Sequence, residues 1–208
     1  LNLAFTYNKA SVFFAFGTTG AGGGAGTYYF DELNFVAGGG GGGGGGTVAG
    51  LPIDCDTAGV TYTLTGFGGA EDATVAAGVA GANGSVARVV KSATAELWAG
   101  TTVSTGANQS IATIPFTATA RSMTLRVRAP AAGIVVRLKV EDAADNTRTV
   151  ETEATTTVAN AWETLTFNFA NQATGTAALN LAFTYNKASV FFAFGTTGAA
   201  GGAGTYYF

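Results

Sequence analysis

The chain has 208 residues, room for one or two domains, and half of it is Ala (40), Gly (32) and Thr (32). Charged residues make up 11%, under half the roughly 25% of an average soluble domain, so Thr, Ala, Gly and Asn must cover most of the surface. A net charge of -3 without a basic run argues against nucleic acid as a partner, no apolar stretch nears the ~18 residues of a membrane-spanning helix, and the absence of His removes imidazole chemistry and every His-dependent triad.

The first thirty residues, LNLAFTYNKASVFFAFGTTGAGGGAGTYYF, return at 179–208 with a single change, Gly22 to Ala200. Near-identity over such a length marks a tandem repeat whose unit is a whole domain. Residues 1–36 then read as the C-terminal strands of a preceding repeat, ending in DELNFV, and the copy that closes at Phe208 lacks that ending. With neither an initiator Met nor a signal pattern at Leu1, the expectation is a processed product or a window of something longer. Residues 37–50 hold nine consecutive glycines, Gly38 to Gly46. Nine glycines have no side chains to bury and span about 16 Å root-mean-square as a coil, so this is a linker. It is not read as an anion-cradling loop, because no helix opens after it and the defined glycine spacing of such loops is absent.

Residues 51–208 form the main unit. Lone Cys55 has no disulfide partner and reads as a buried, inert thiol. From Val60 onward the pattern has period two. Val60, Tyr62 and Leu64 alternate with threonines; Met123, Leu125 and Val127 alternate with Thr124, Arg126 and Arg128; Val136, Leu138 and Val140 alternate with Arg137, Lys139 and Glu141. Each such run predicts a strand with one dry face. Further strands are expected at 86–90, 96–103, 111–117, 148–156, 162–169, 179–184, 190–194 and 205–208, and a short helical turn at 72–79. About ten short antiparallel strands with regular turn residues predict an all-β fold, a two-sheet antiparallel β-sandwich. Turning the 134–141 strand back through 142–147 places Arg137 opposite Glu153 and Lys139 opposite Glu151, as cross-strand ion pairs that fix register. Asp142, Asp145 and Asn146 read as a turn, and so do Asn83-Gly84-Ser85 and Asn108-Gln109-Ser110, although both are formal glycosylation sequons.

The motifs GVTYTLTGFGGAED (59–72), ELWAGTTV (96–103), VRLKVED (136–142), VETEATTTVANAWETLTFNF (150–169), SVFFAFGTTG (189–198) and TYYFDELNF (27–35) resemble jelly-roll modules of large secreted bacterial proteins. They are similar to carbohydrate-binding modules of the galactose-binding-like superfamily, over nearly all of 51–208 and over 1–36 as the end of a preceding copy. The resemblance implies a non-catalytic, extracellular jelly roll. Modules of this kind present aromatic rings to sugars, whereas the expected solvent face of the central strands carries Arg, Lys, Glu and Thr. Trp162 is expected in the core, and Trp98 also in the core or, with Tyr62 as partner, in a sugar-binding site. The resemblance further implies a structural calcium ion, for which Asp31, Glu32, Asp54 and Asp56 are the candidate ligands.

Two functions follow as expectations. The leading one is a structural repeat of an extracellular fibre, stalk or adhesin, in which copies of the chain join head to tail and the 1–36 hairpin of one fills the open sheet edge of the next. The alternative is a polysaccharide-binding module. Catalysis ranks behind both, since no acidic pair stands apart from turns and surface ladders.

Overall fold

A computed structural model describes residues 51–208; the first repeat copy, the glycine run, Asp31 and Glu32 lie outside the described residues. Ten strands occur among the described residues. They are β1 (Thr63–Phe67), β2 (Asp72–Ala76), β3 (Val86–Lys91), β4 (Gly100–Ser104), β5 (Ser122–Arg128), β6 (Val135–Asp142), β7 (Asp145–Thr155), β8 (Trp162–Asn168), β9 (Lys187–Phe192) and β10 (Gly204–Tyr207). Sheet 1 has the order β1-β4-β9-β6-β7 and sheet 2 the order β2-β3-β10-β5-β8, with antiparallel pairing throughout. The fold is the expected all-β sandwich.

Period two decides what lies between the sheets. On β6 the even positions Val136, Leu138 and Val140 are buried to 3% exposure or less, and on β8 Leu165 and Phe167, with Phe169 just beyond, meet them from the other layer. Phe192 of β9 stacks on Tyr206 of β10 at 4.7 Å with planes 12° apart, one ring from each sheet. Buried Tyr206 needs a partner for its hydroxyl, which donates to the Gly202 carbonyl at 3.0 Å. The β6–β7 hairpin has the anticipated register, Arg137↔Glu153 and Lys139↔Glu151.

Three local expectations need correction. Residues 72–76 form strand β2 instead of a helical turn, because the edge of β3 offers a full ladder from Asp72↔Val90 to Ala76↔Val86 and an isolated turn of helix offers few bonds for its ordering cost. Residues 111–117 form no strand. Pro115 cannot donate to a ladder, and the segment is instead tied by single bonds from Ile111 N–H to Asn186 O and from Ile114 N–H to Tyr185 O, which seat both isoleucines in the core. Residues 179–184 also form no strand, because Asn180 turns the chain by accepting the Ala182 N–H on its side chain and the Phe183 N–H on its carbonyl.

Candidate functional site

The same alternation that fills the core gives sheet 1 an outward face built from the remaining positions. These are Thr65 and Phe67 on β1, Thr102 on β4, Ser189 and Phe191 on β9, Arg137, Lys139 and Glu141 on β6, and Glu151 on β7. Together with Trp98, Gln109, Lys187 and Phe194 they line an open groove of about 550 Å³, within the size range of ligand sites. Several of these outward residues are nonetheless buried, including Thr102, Ser189, Glu141 and Phe191; the face is recessed and the floor of the groove is shielded from water.

One side of the groove is aromatic. Trp98, 48% exposed, stacks on Phe67 with centroids 6.2 Å apart and planes 18° apart. Phe67 meets Phe191 edge-on at 5.6 Å, and Phe191 meets Phe194 edge-on at 5.7 Å. The Arg137 guanidinium closes the row, 3.6 Å from the Phe194 ring centroid. Two glycines make the row possible. A Cβ on Gly100 would stand 2.6 Å from the Phe191 ring and 2.9 Å from Phe67, and Gly68, at φ +67°, lies under Trp98, where a Cβ would be 2.8 Å from the indole. Phe194 reaches this face because Ala193, at φ 47°, breaks the alternation after β9: Ala193 stays in the core and the next side chain turns outward. A left-handed conformation at a non-glycine residue costs about 1 kcal/mol or more, so the surroundings hold it in place.

The other side is polar and its charges are matched. Arg137 donates from Nε to Glu153 Oε1 at 2.8 Å and from Nη1 to Glu151 Oε2 at 2.9 Å. Lys139 pairs with Glu141 at 2.8 Å, its neighbour two positions along the strand, instead of with Glu151 across it. The register is as expected; the ion-pair partner is not, because Arg137's longer fork reaches both acids of β7. Thr102 and Ser189 share a hydrogen bond of 2.8 Å in the floor.

The residues that the sequence singles out lie in three places. Trp98 lies on the groove rim, exposed, and not in the core. Tyr62 is not its partner: the Tyr62 hydroxyl donates to Asp54 Oδ1 at 2.6 Å, while Phe67 takes the stacking role. Trp162 is not a core residue either. It occupies an even position on β8, opposite in parity to Leu165 and Phe167, so it lies half-buried on the outer face of sheet 2, donating from Nε1 to Ala80 O at 3.0 Å beneath the Arg126 guanidinium.

Asp54 and Asp56 belong to the lead-in segment. Partial burial pushes the Asp54 carboxyl up, but the Tyr62 hydroxyl, the Asp56 N–H and both donors of Thr57 outweigh it and hold the carboxyl at about 2. Asp56 accepts the Ser85 N–H on both oxygens, at 3.0 and 2.8 Å. With donors already aimed at them, this pair does not fit a calcium ion as it stands, and among the described residues no group of three or more acidic or Cys side chains converges on a common point. Cys55, between them, is half-buried; burial and the charges of Asp54 and Asp56 raise its thiol to about 11, which keeps it unreactive near neutrality.

Phe67, Phe191 and Phe194 are not among the residues that the sequence singles out, and Arg137 enters there only as the cross-strand partner of Glu153. Parity marks two of them: Phe67 is in phase with solvent-facing Thr63 and Thr65, and Phe191 is out of phase with core residues Val190 and Phe192.

No family model and no curated protein matches the chain. Among solved structures, the family 11 carbohydrate-binding module of the cellulosomal cellulase Lic26A-Cel5E of Clostridium thermocellum is similar at 13% identity and a TM-score of 0.43, over 74% of this chain and 88% of that one. A family 11 module of the same organism, in complex with a β-1,3-1,4-mixed-linked tetrasaccharide, is similar at 13% identity and a TM-score of 0.40, over 70% of this chain and 84% of that one. Likeness of this degree carries no weight for function, which rests on the groove. Among the described residues no helix is long and apolar enough to cross a membrane.

Proposed function

We propose that the outer face of sheet 1 binds a polysaccharide chain, without catalysis. The observation that carries this reading is the row Trp98–Phe67–Phe191–Phe194 standing beside a recessed polar floor. A pyranose has an apolar face of C–H groups and an equatorial ring of hydroxyls. It needs a flat apolar surface and, at right angles to it, donors and acceptors that are already in place. Trp98 supplies the exposed flat surface, while Gln109, Lys139 and Lys187 supply polar groups along the groove. Arg137, held between two carboxylates and a ring, keeps the floor rigid, so little side-chain entropy is lost on binding. Catalysis is not proposed, because Glu141, Glu151 and Glu153 are all committed to cations, and glycoside hydrolysis needs two carboxyl groups free to act on the scissile bond.

The test is retardation in affinity gels containing a panel of neutral polysaccharides, followed by calorimetry on the best ligand. Trp98→Ala is expected to weaken binding by about 2 kcal/mol, roughly thirtyfold in Kd. Absence of retardation on every polysaccharide defeats the proposal.

A second reading, the structural repeat of an extracellular fibre, stalk or adhesin, is favoured by a different observation: residues 1–30 and 179–208 are identical but for Gly22 and Ala200.

A further inference from the structure

Lys91, the last residue of β3, is buried at 2% exposure. Its side chain leaves sheet 2 for the β9 end of sheet 1, where Nζ donates to Phe192 O at 3.2 Å and to Ala193 O at 3.0 Å. Among the described residues no carboxylate pairs with it. Taking an ammonium out of water without a counter-ion is unfavourable, and an apolar side chain of similar volume would fill the same space without that cost. Space-filling therefore does not account for the lysine; the two carbonyls do.

Those carbonyls lie where the aromatic row is set. A regular ladder continuing from Val136↔Phe192 would place Ala193 opposite Val135, but it is the Phe194 N–H that reaches Val135 O, at 3.2 Å. Ala193 is thus an extra residue at φ 47°, and a bulge of this kind re-aims the side chain that follows it. The chain then turns, with Thr196 N–H donating at 3.1 Å to Ala193 O, the same oxygen that Lys91 holds. From this turn Gly195 N–H donates to Leu97 O at 3.0 Å and Gly198 N–H to Ala95 O at 2.8 Å. Gly198 has no room for a Cβ against Ser92 O, so the turn lies directly on the chain that leaves β3. One stretch of backbone therefore places both Phe194 and the 95–98 turn that carries Trp98, and Lys91 holds the start of it.

We propose that Lys91 is a positioning residue of the sheet 1 groove: by holding the Phe192 and Ala193 carbonyls from inside the core, it fixes the left-handed turn that sets Phe194 and Trp98. Without the ammonium, Ala193 relaxes toward the negative φ that alanine prefers. Phe194 then leaves its place beside the Arg137 guanidinium, and the Gly195 and Gly198 donors draw away from the Trp98 turn. Lys91 acts through the backbone alone and touches no ligand. The inference rests on the reading of the groove as the polysaccharide site.

The test compares the 208-residue chain with Lys91→Met, which keeps an unbranched stem and drops the ammonium. Hydrogen exchange at the Gly195 and Gly198 amides is expected to be about tenfold faster or more in the variant, with the core amides of β6 and β8 unchanged. The Kd for the best-retained polysaccharide is expected to rise about tenfold, about 1.4 kcal/mol. Adding Ala193→Gly should recover most of both effects, because glycine takes a positive φ at no steric cost; a lysine that merely supported the core would not be rescued by that change. Unchanged exchange at the two glycines overturns the proposal, as does an unchanged Kd. Faster exchange throughout the sandwich, or no recovery on adding Ala193→Gly, overturns it as well, since Lys91 then serves the core in general. Should Lys91→Met fail to fold, the double variant decides: folded and binding, it supports the proposal, and unfolded, it ends it. If the wild-type chain is retained on no polysaccharide, the reading of the groove fails by itself, and exchange at Gly195 and Gly198, with its recovery, still decides whether Lys91 holds the turn.

Discussion

The outer faces of the two sheets use the same residue types for different ends. On sheet 1, Arg137 covers Phe194 and is neutralised by Glu151 and Glu153; on sheet 2, Arg126 covers Trp162 and Arg128 lies over Tyr207. The sheet 2 arginines donate to backbone carbonyls, Gly81 O at 2.8 Å and Asn160 O at 3.1 Å, and Trp162 gives its indole N–H to Ala80 O. These groups are used to pin loops onto the strands. On sheet 1 the cation is held by side chains of the sheet itself, and Trp98 projects from the rim supported by a ring beneath it. An arginine–aromatic pair therefore does not by itself mark a ligand site; what distinguishes sheet 1 is a recessed floor and a ring that leaves a face exposed.

The sharpest way to break that contrast is to remove the two cations in parallel. Arg137→Met leaves two carboxylates without their partner, one of them, Glu151, with a side chain only 17% exposed. A partnerless, largely buried charge is costly, and the expected loss is about 2–3 kcal/mol in urea unfolding, together with loss of glycan retardation. Arg126→Met removes one hydrogen bond to a carbonyl and one cation–π contact, and should cost about 1–2 kcal/mol without touching retardation. Equal losses in stability would mean that the carboxylate clamp on sheet 1 contributes little.

Exchanging the roles of the two tryptophans gives the next largest effect. Trp162→Ala should lower stability by about 2 kcal/mol through lost packing and an orphaned carbonyl while leaving glycan affinity within a factor of two or so. Trp98→Ala should do the reverse, with the affinity loss given above and a stability change near 1 kcal/mol, the worth of one ring pair. A common pattern for both variants would erase the functional difference between the faces.

The sandwich and the β6–β7 register are legible in the sequence because alternation and turn residues are local signals, and β strands with one dry face have little freedom to slip. The groove was legible in part. Parity alone places Trp162 opposite Leu165 and puts Phe67 and Phe191 at the surface, so their positions follow from counting. Phe194 does not, because the left-handed Ala193 shifts its phase and nothing in SVFFAFG announces a positive φ at alanine. Trp98 was hidden for a related reason: residues 96–99 look like the start of strand β4 but form a turn, with Ala99 N–H bonded to Glu96 O, so strand parity does not apply to it.

The smallest expected effect concerns the segment that joins the two faces. Asp54 takes the Tyr62 hydroxyl just before β1 of sheet 1, and Asp56 takes the Ser85 N–H just before β3 of sheet 2. Asp54 titrates at about 2 in the folded chain against 3.8 for an unperturbed carboxyl. A carboxyl lowered by folding adds stability that is fully present above the unfolded value and disappears as pH falls through the folded one. The contribution of Asp54 should therefore be intact at pH 5, shrink between about 4 and 2, and be gone below. Tyr62→Phe removes one of the donors that hold the carboxyl down, so its titration, followed by NMR, should move upward toward 3.8, and the acid limb of stability assigned to Asp54 should flatten. If the Asp54 titration is the same in both proteins, the Tyr62 hydroxyl is not what anchors the lead-in to sheet 1, and the two faces are linked through Asp56 and Ser85 instead.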